Sequence, residues 1–225
     1  MTNKGVAEPS YRKRVGYQAG LLGGFATLAA AFLAVGNVST RATIAQRQAE
    51  DIRASLSQVI PDRVHDNNLL QDTATLQHAG QTVLVYRATQ KGKVTAVAYP
   101  ISGKGYSGEI SLMLGVSAEA EILGVRVLSH TETPGLGDKI EAKKDDWIFS
   151  FNGLSYEETQ NPQWGVKKDG GRFDQFSGAT ITPRAVVKTV KQGLQFFHEH
   201  QKQLLTVSAE SHVKNNRETT EQSNE

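Results

Sequence analysis

No cysteine occurs among the 225 residues. This one absence removes iron–sulfur clusters, thiolate zinc centres, thiol catalysis, attached c-type haem and disulfides. A redox role would therefore need a cofactor held through other groups. Aromatic residues make up only 7% of the chain, and 25 Lys and Arg against 23 Asp and Glu leave a formal charge of +2. The basic side chains are scattered rather than gathered on one stretch, so nothing points to nucleic acid. The compartment stays open, because a domain without disulfides can live on either side of a membrane.

Charge is also missing locally. Between Val15 and Val38 there is no Asp, Glu, Lys or Arg. As a helix that run would extend roughly 36 Å, enough to cross a hydrocarbon core of about 30 Å. It is longer than the roughly 7 to 15 apolar residues of a cleaved signal peptide, so it reads as a single N-terminal transmembrane helix. Residues 1–14 before it carry Lys4, Arg12, Lys13 and Arg14 against Glu8 alone, whereas the segment after it mixes Arg41, Arg47 and Arg53 with Glu50 and Asp51. The positive-inside rule then places 1–14 in the cytoplasm and everything after Val38 outside, which for a bacterial inner membrane is the periplasm. Gly16, Gly20 and Gly24 recur every four residues, giving a narrow face where another membrane helix could approach.

Beyond the span, Ile44, Ile52, Leu56, Val59 and Ile60 keep helical spacing up to Pro61, and a polar, turn-rich stretch follows. Residues 39–80 thus read as stalk and linker. Within them the His65/Asp66 pair reads as exposed loop rather than a metal site. Strand patterns begin at Thr82. Thr82–Ala88 and Val94–Tyr99 flank Lys91-Gly92-Lys93, and Glu109–Val116 and Ile122–Leu128 flank 117–121, predicting two hairpins rich in Val, Ile, Leu and Tyr. Val186, Val190, Leu194 and Phe197 then recur at three or four residues, as the buried face of a helix that Thr182 would cap and Pro183 would open. The expected fold class is α+β: one transmembrane helix followed by an antiparallel sheet packed with helices over residues 81–206. His198 and His200, two apart on that helix, point to different sides, so no shared metal is expected. Residues 207–225 are polar and aperiodic, the pattern of a disordered tail.

Gly103-Lys104-Gly105-Tyr106-Ser107-Gly108 fits Gly-x-Gly-x-x-Gly, but a strand pattern rather than a helix follows it, so a dinucleotide site is rejected and the loop reads as a tight turn. Two other stretches carry more. Asp174-Gln175-Phe176-Ser177-Gly178-Ala179-Thr180 ends just ahead of the predicted helix, whose first N–H groups and positive dipole end suit a phosphate. Upstream, the irregular segment Ser129-His130-Thr131-Glu132-Thr133-Pro134-Gly135-Leu136-Gly137 could bring backbone close to a flat ring, although a simple connector would have the same composition. His130 reads as structural rather than as an acid or base.

Asp-x-x-Ser-Gly-Ala-Thr closely resembles the flavinylation motif of the FMN-binding domain family found in the Rnf (Rsx) and Na+-pumping quinone reductase complexes, and Ser129–Gly137 resembles the family's second signature. The resemblance covers roughly residues 10–205. It implies covalent FMN, with the phosphoester on Thr180, Asp174 and Ser177 in recognition, Gly178 and Ala179 leaving room for the phosphate, and Glu132, Thr133, Leu136 and Gly137 as further flavin contacts. It also implies a flavin transferase that takes FMN from FAD, since no His or Lys beside Thr180 in sequence would activate its hydroxyl. The implied function is electron relay within an inner-membrane translocase, as the G component of an Rnf/Rsx-type complex in contact with its other membrane subunits. The C component of the Na+-translocating NADH:quinone reductase remains the near alternative, and a non-redox periplasmic binding or assembly module the alternative from another class. Lys167, Lys168 and Arg172 are candidate cations for offsetting phosphate charge. A hydrolase built on Ser177 fails for want of a Gly-x-Ser-x-Gly elbow, since Gln175 stands at its first glycine.

Overall fold

Alternating side chains turn five segments into strands, and each segment pairs with the next. In the computed structural model, which describes residues 15–78, 80–160 and 162–206, the strands are β1 (Thr73–His78), β2 (Gln81–Gln90), β3 (Lys93–Lys104), β4 (Glu109–Ser117) and β5 (Ile122–Ser129). They form one antiparallel sheet in the order β1-β2-β3-β4-β5. Among the described residues two α-helices accompany it, α1 (Val15–Val59) and α2 (Ile181–Leu204), with short 3₁₀ turns between β5 and α2. The proposed cytoplasmic segment and tail lie outside the described residues.

The chain divides into two compact units, residues 1–51 and 52–225. In the first, α1 contains a stretch, Val15–Val35, long and apolar enough to cross a membrane, and none of it is buried within the chain. Leu22, Phe25, Phe32 and Leu33 are all exposed there. In the second unit both faces of the sheet are covered. That is why β3 and β4 read as near-continuous apolar runs, whereas β1 at the edge alternates exposed and half-buried positions. On one face Val97, Tyr99, Leu112 and Leu114 belong to the same core as Val186, Val190, Leu194 and Phe197 of α2. The buried Tyr99 hydroxyl donates to the Gly193 carbonyl at 2.9 Å, and burial pushes its ionisation well above the ordinary tyrosine range.

The other face is closed by the end of α1. Leu56, Val59 and Ile60 pack with Tyr86, Ala88, Ala96, Ala98 and Met113. Small residues make the approach possible: a Cβ on Gly115 would stand 2.2 Å from the Val59 carbonyl oxygen, and one on Gly124 2.9 Å from the Val59 Cα. The stretch expected to be stalk and linker therefore contributes a wall of the core and, through Thr73–His78, an edge strand. Nearby, the buried Arg87 is held by Asp72, with Nη2 at 2.6 Å and Nε at 2.8 Å from Oδ1, and by the Thr206 carbonyl at 3.0 Å. A buried guanidinium with a carboxylate and a carbonyl as partners avoids the large penalty of an unpaired charge.

The two expected hairpins are present, and a third joins β3 to β4 across the glycine-containing loop, where the Gly105 N–H donates to Gly108 O at 2.7 Å. A strand follows that loop, which rules out the dinucleotide arrangement. After β5, Asp138–Ile140 forms a short 3₁₀ turn.

Candidate functional site

Phe176 explains the shape of the 174–180 segment. Its ring is buried and meets Trp147 edge-on, with centroids 5.2 Å apart. The Trp147 indole N–H donates to the Asp174 carbonyl at 2.8 Å. Anchored at these two points, the chain reverses tightly: the Ala179 N–H donates to Phe176 O at 3.1 Å, and Gly178 sits at φ +80°, where a side chain would be strained. Ser177 and Gly178 form the exposed tip, and Thr180 is half-buried at the base.

Thr180, not Thr182, occupies the N-cap position of α2, and its side chain makes no capping hydrogen bond. Its hydroxyl is thus left at the end of a helix whose first N–H groups carry the positive end of the dipole. Thr182 has a different role from the expected cap. Its hydroxyl donates to Oε2 of Glu132 in a short, buried contact.

Glu132 is the tie between three separate segments. Only 4% exposed, it accepts on Oε1 from the backbone N–H groups of Tyr106 and Ser107, each at 3.0 Å, and on Oε2 from Thr182. The segment carrying it turns sharply at Thr133, whose carbonyl accepts from Leu136 N–H at 3.1 Å and Gly137 N–H at 3.0 Å. His130 fixes the entry: its Nδ1 accepts from the Glu132 N–H at 3.1 Å, which leaves Nε2 to donate to Glu141 Oε1 at 2.9 Å. A structural role for His130 fits this geometry. Behind it, the Gly135 backbone and Lys144 hydrogen-bond Asp138 and hold its carboxyl below the usual range; Lys144 and then His130 do the same for Glu141.

These elements enclose a hollow of about 290 Å³. Its lining brings together Glu132, Thr133, Leu136 and Gly137 from one segment with Gly178, Ala179 and Thr180 from the other, and adds Tyr106, Ile181 and Thr182. Tyr106, Leu136 and Ile181 leave apolar surface exposed here, a suitable seat for the face of an aromatic ring. Asp174 and Ser177 lie apart from it. They line a second depression of about 420 Å³ on the outer side of the turn, with Lys139, Trp147 and Arg172. Sequence reasoning missed Tyr106, Ile181 and Thr182. The glycine pattern around Tyr106 signals a turn, but nothing local signals what the turn faces.

The three candidate phosphate cations are differently placed. Lys167 pairs with Asp174 at 2.6 Å and Arg172 with Glu158 at 3.2 Å, while Lys168 meets Gln175 through its backbone N–H. None of them lines the hollow. Arg184, in the first turn of α2, makes paired 2.7 Å hydrogen bonds to Asp169, which lower the Asp169 carboxyl and raise the guanidinium. An anion held at Thr180 would therefore have to rely on backbone N–H groups and the helix dipole.

Residues 105–195, which contain this whole arrangement, match the FMN-binding domain family model. Over 186 residues the sequence is 53% identical to the G component of the ion-translocating oxidoreductase complex of Cereibacter sphaeroides, covering 82% of this chain and 85% of that one. The chain belongs to the family of G components of ion-translocating oxidoreductase complexes. The corresponding protein of Shewanella piezotolerans is 44% identical over 201 residues, 87% of this chain and 95% of its own. A crystal structure of Shewanella oneidensis NqrC aligns with a TM-score of 0.44 at 25% identity, over 64% of this chain and 73% of that one. Membership in the G-component family decides between the two complexes that the motifs alone leave open.

Proposed function

We propose that this chain is an electron relay of an Rnf-type complex, carrying FMN through a phosphoester on Thr180 and held in the bacterial inner membrane by α1, with residues 81–206 on the periplasmic side. The observation that carries this reading is the convergence on one hollow of the Glu132–Gly137 segment and the Gly178–Thr180 turn, at the N-terminus of α2. The donor set fits FMN. Thr180 offers an unused hydroxyl, Ile181 and Thr182 offer helix-end N–H groups, and Tyr106, Leu136 and Ile181 offer apolar surface for a ring. At about 290 Å³ the hollow lies at the lower edge of the roughly 300–1,000 Å³ typical of small-molecule sites. A tethered ring would stand partly outside it, open to a redox partner. Bound FMN supplies one- and two-electron chemistry; the chain tethers, orients and partly shields it.

Attachment would join Thr180 Oγ to the phosphorus of FMN, breaking the pyrophosphate bond of FAD with AMP as the leaving group, and the threonine proton would pass to a base supplied by the transferase. Among the described residues no free base lines the hollow beside Thr180: Glu132, its carboxylate, already accepts three hydrogen bonds. A separate flavin transferase acting with a divalent metal supplies the activation. The exposed Asp174 and Ser177 would serve in its recognition.

Val15–Val35 supports the anchor, and around Gly16, Gly20 and Gly24 the space a Cβ would take is open, as a close-packing partner helix among the other membrane subunits would need. Intact and peptide mass spectrometry of the chain, made in a host shown to flavinylate a control, tests the assignment. The expected result is the mass of FMN less water on the peptide bearing Thr180. An unmodified peptide would favour an anchored module without redox chemistry. A reporter fused after Val213 should be active only outside the cytoplasm.

A further inference from the structure

At the other end of α2, three side chains from distant parts of the sequence meet. His78 closes β1, and Glu199 and His200 lie in the last turns of α2. His78 Nδ1 stands 3.3 Å from His200 Nε2 and 3.9 Å from Glu199 Oε2, and the three donor atoms all lie within 4.8 Å of one another. Phe196 backs the cluster, its ring 5.1 Å from that of His78 and 4.9 Å from that of His200. His78, Phe196 and Glu199 also line a groove of about 470 Å³. His198 takes no part: it stacks on Tyr156 at 4.3 Å.

We infer that His78, Glu199 and His200 bind a first-row divalent transition cation, with Zn2+ as the representative ion. Two nitrogens bound tetrahedrally at about 2.0–2.1 Å stand about 3.3 Å apart, which is the separation found between the imidazoles. The carboxylate needs only a small rotation to complete the set, and Glu199, with 59% of its side chain exposed, is free to make it. Two imidazoles and one carboxylate suit Zn2+, Cu2+ or Ni2+ and give too few oxygens for Ca2+ or Mg2+. Three protein ligands leave a fourth position for water. The cation would clip the edge strand β1 to the end of α2. About 17 residues of helix, roughly 25 Å, separate this cluster from Thr182, so binding here should leave the flavin site untouched.

The test is calorimetric titration of Zn2+ into the full chain, purified in detergent without a histidine tag, together with its thermal unfolding midpoint. The expected result is saturable binding of one Zn2+ per chain, not displaced by equal Mg2+ or Ca2+, and a midpoint that rises with Zn2+. His78→Asn and His200→Asn should each weaken binding at least tenfold and Glu199→Gln a few-fold, while His198→Asn leaves it unchanged. The flavin absorption spectrum should not move in any of these. Absence of saturable binding by the unaltered chain overturns the inference, as does binding that survives both His78→Asn and His200→Asn. Should a variant fail to fold, the Zn2+-dependent midpoint of the unaltered chain decides the question by itself.

Discussion

The two walls of the hollow at the N-terminus of α2 are built in opposite ways. The Glu132–Gly137 wall is tied down from inside: a buried carboxylate accepts three hydrogen bonds from two other segments, and His130 and Asp138 brace it from behind. The 174–180 wall is anchored by Phe176 and Trp147, but its tip and its ion pair face water. The contrast fits what the proposed function would ask of each. A surface that orients a ring is best held rigid. A segment that another enzyme must grip and modify has to be reachable, and Asp174, Ser177 and Gly178 are exposed.

The contrast can be broken most completely at Thr180. Thr180→Val should abolish covalent flavin, read by in-gel flavin fluorescence, while changing stability by no more than about 0.5 kcal/mol, as for a substitution outside the core; retained label would refute the assignment. Phe176→Ala should cost about 3 kcal/mol or more in denaturant unfolding, because a buried aromatic is deleted, and should lower labelling of the folded chain by releasing the turn. Glu132→Ala should cost about 2 kcal/mol or more by orphaning two backbone N–H groups and the Thr182 hydroxyl. Its signature is a shifted flavin spectrum with attachment retained, since Thr180 is untouched. Lys167→Ala should change stability by less than about 0.5 kcal/mol, because the pair with Asp174 is exposed; Asp174→Asn should instead slow labelling. A fall of Asp174→Asn in stability with normal labelling would show that the outer wall is structural after all.

The gentlest probe is acid. Asp138 and Glu141 have carboxyls held below their ordinary values, so their contribution is complete above the unfolded-state values of about 4 and is lost as pH falls through the depressed ones. Amide exchange, corrected for intrinsic rates, should therefore show residues 130–144 loosening in acid before β3 and β4 do. Equal loss of protection in both regions would mean that these carboxylates do not brace the wall.

Much of this was legible in the sequence because it is local. The β2–β3 and β4–β5 hairpins follow from alternation and from Lys91-Gly92 at the turn, where both residues take positive φ. The packing face of α2 follows from its spacing. The two segments that line the hollow were singled out through the family resemblance, since Ser-Gly-Ala-Thr and Thr-Pro-Gly are chemically ordinary. What could not be read is contact across distance. Glu132 and Thr182 are 50 residues apart and His78 and His200 are 122 apart, and no local pattern marks such pairs. β1 was missed for a related reason. Thr73–His78 carries few apolar residues and is a strand only because β2 offers it an edge. Likewise Thr182 has the composition of a cap, but Glu132 captures its hydroxyl, and the cap position moves to Thr180.

The close seating of Val59 against Gly115 and Gly124 bears on how the domain can be cut free. A soluble fragment starting after Pro61 would strip Leu56, Val59 and Ile60 from the sheet and leave Ala88, Ala96, Ala98 and Met113 facing solvent, a bare apolar surface of the kind that drives aggregation. A fragment starting at Ile52 retains that cover. The last two turns of α1 are thus cargo that the folded domain must keep in any fragment that omits Val15–Val35.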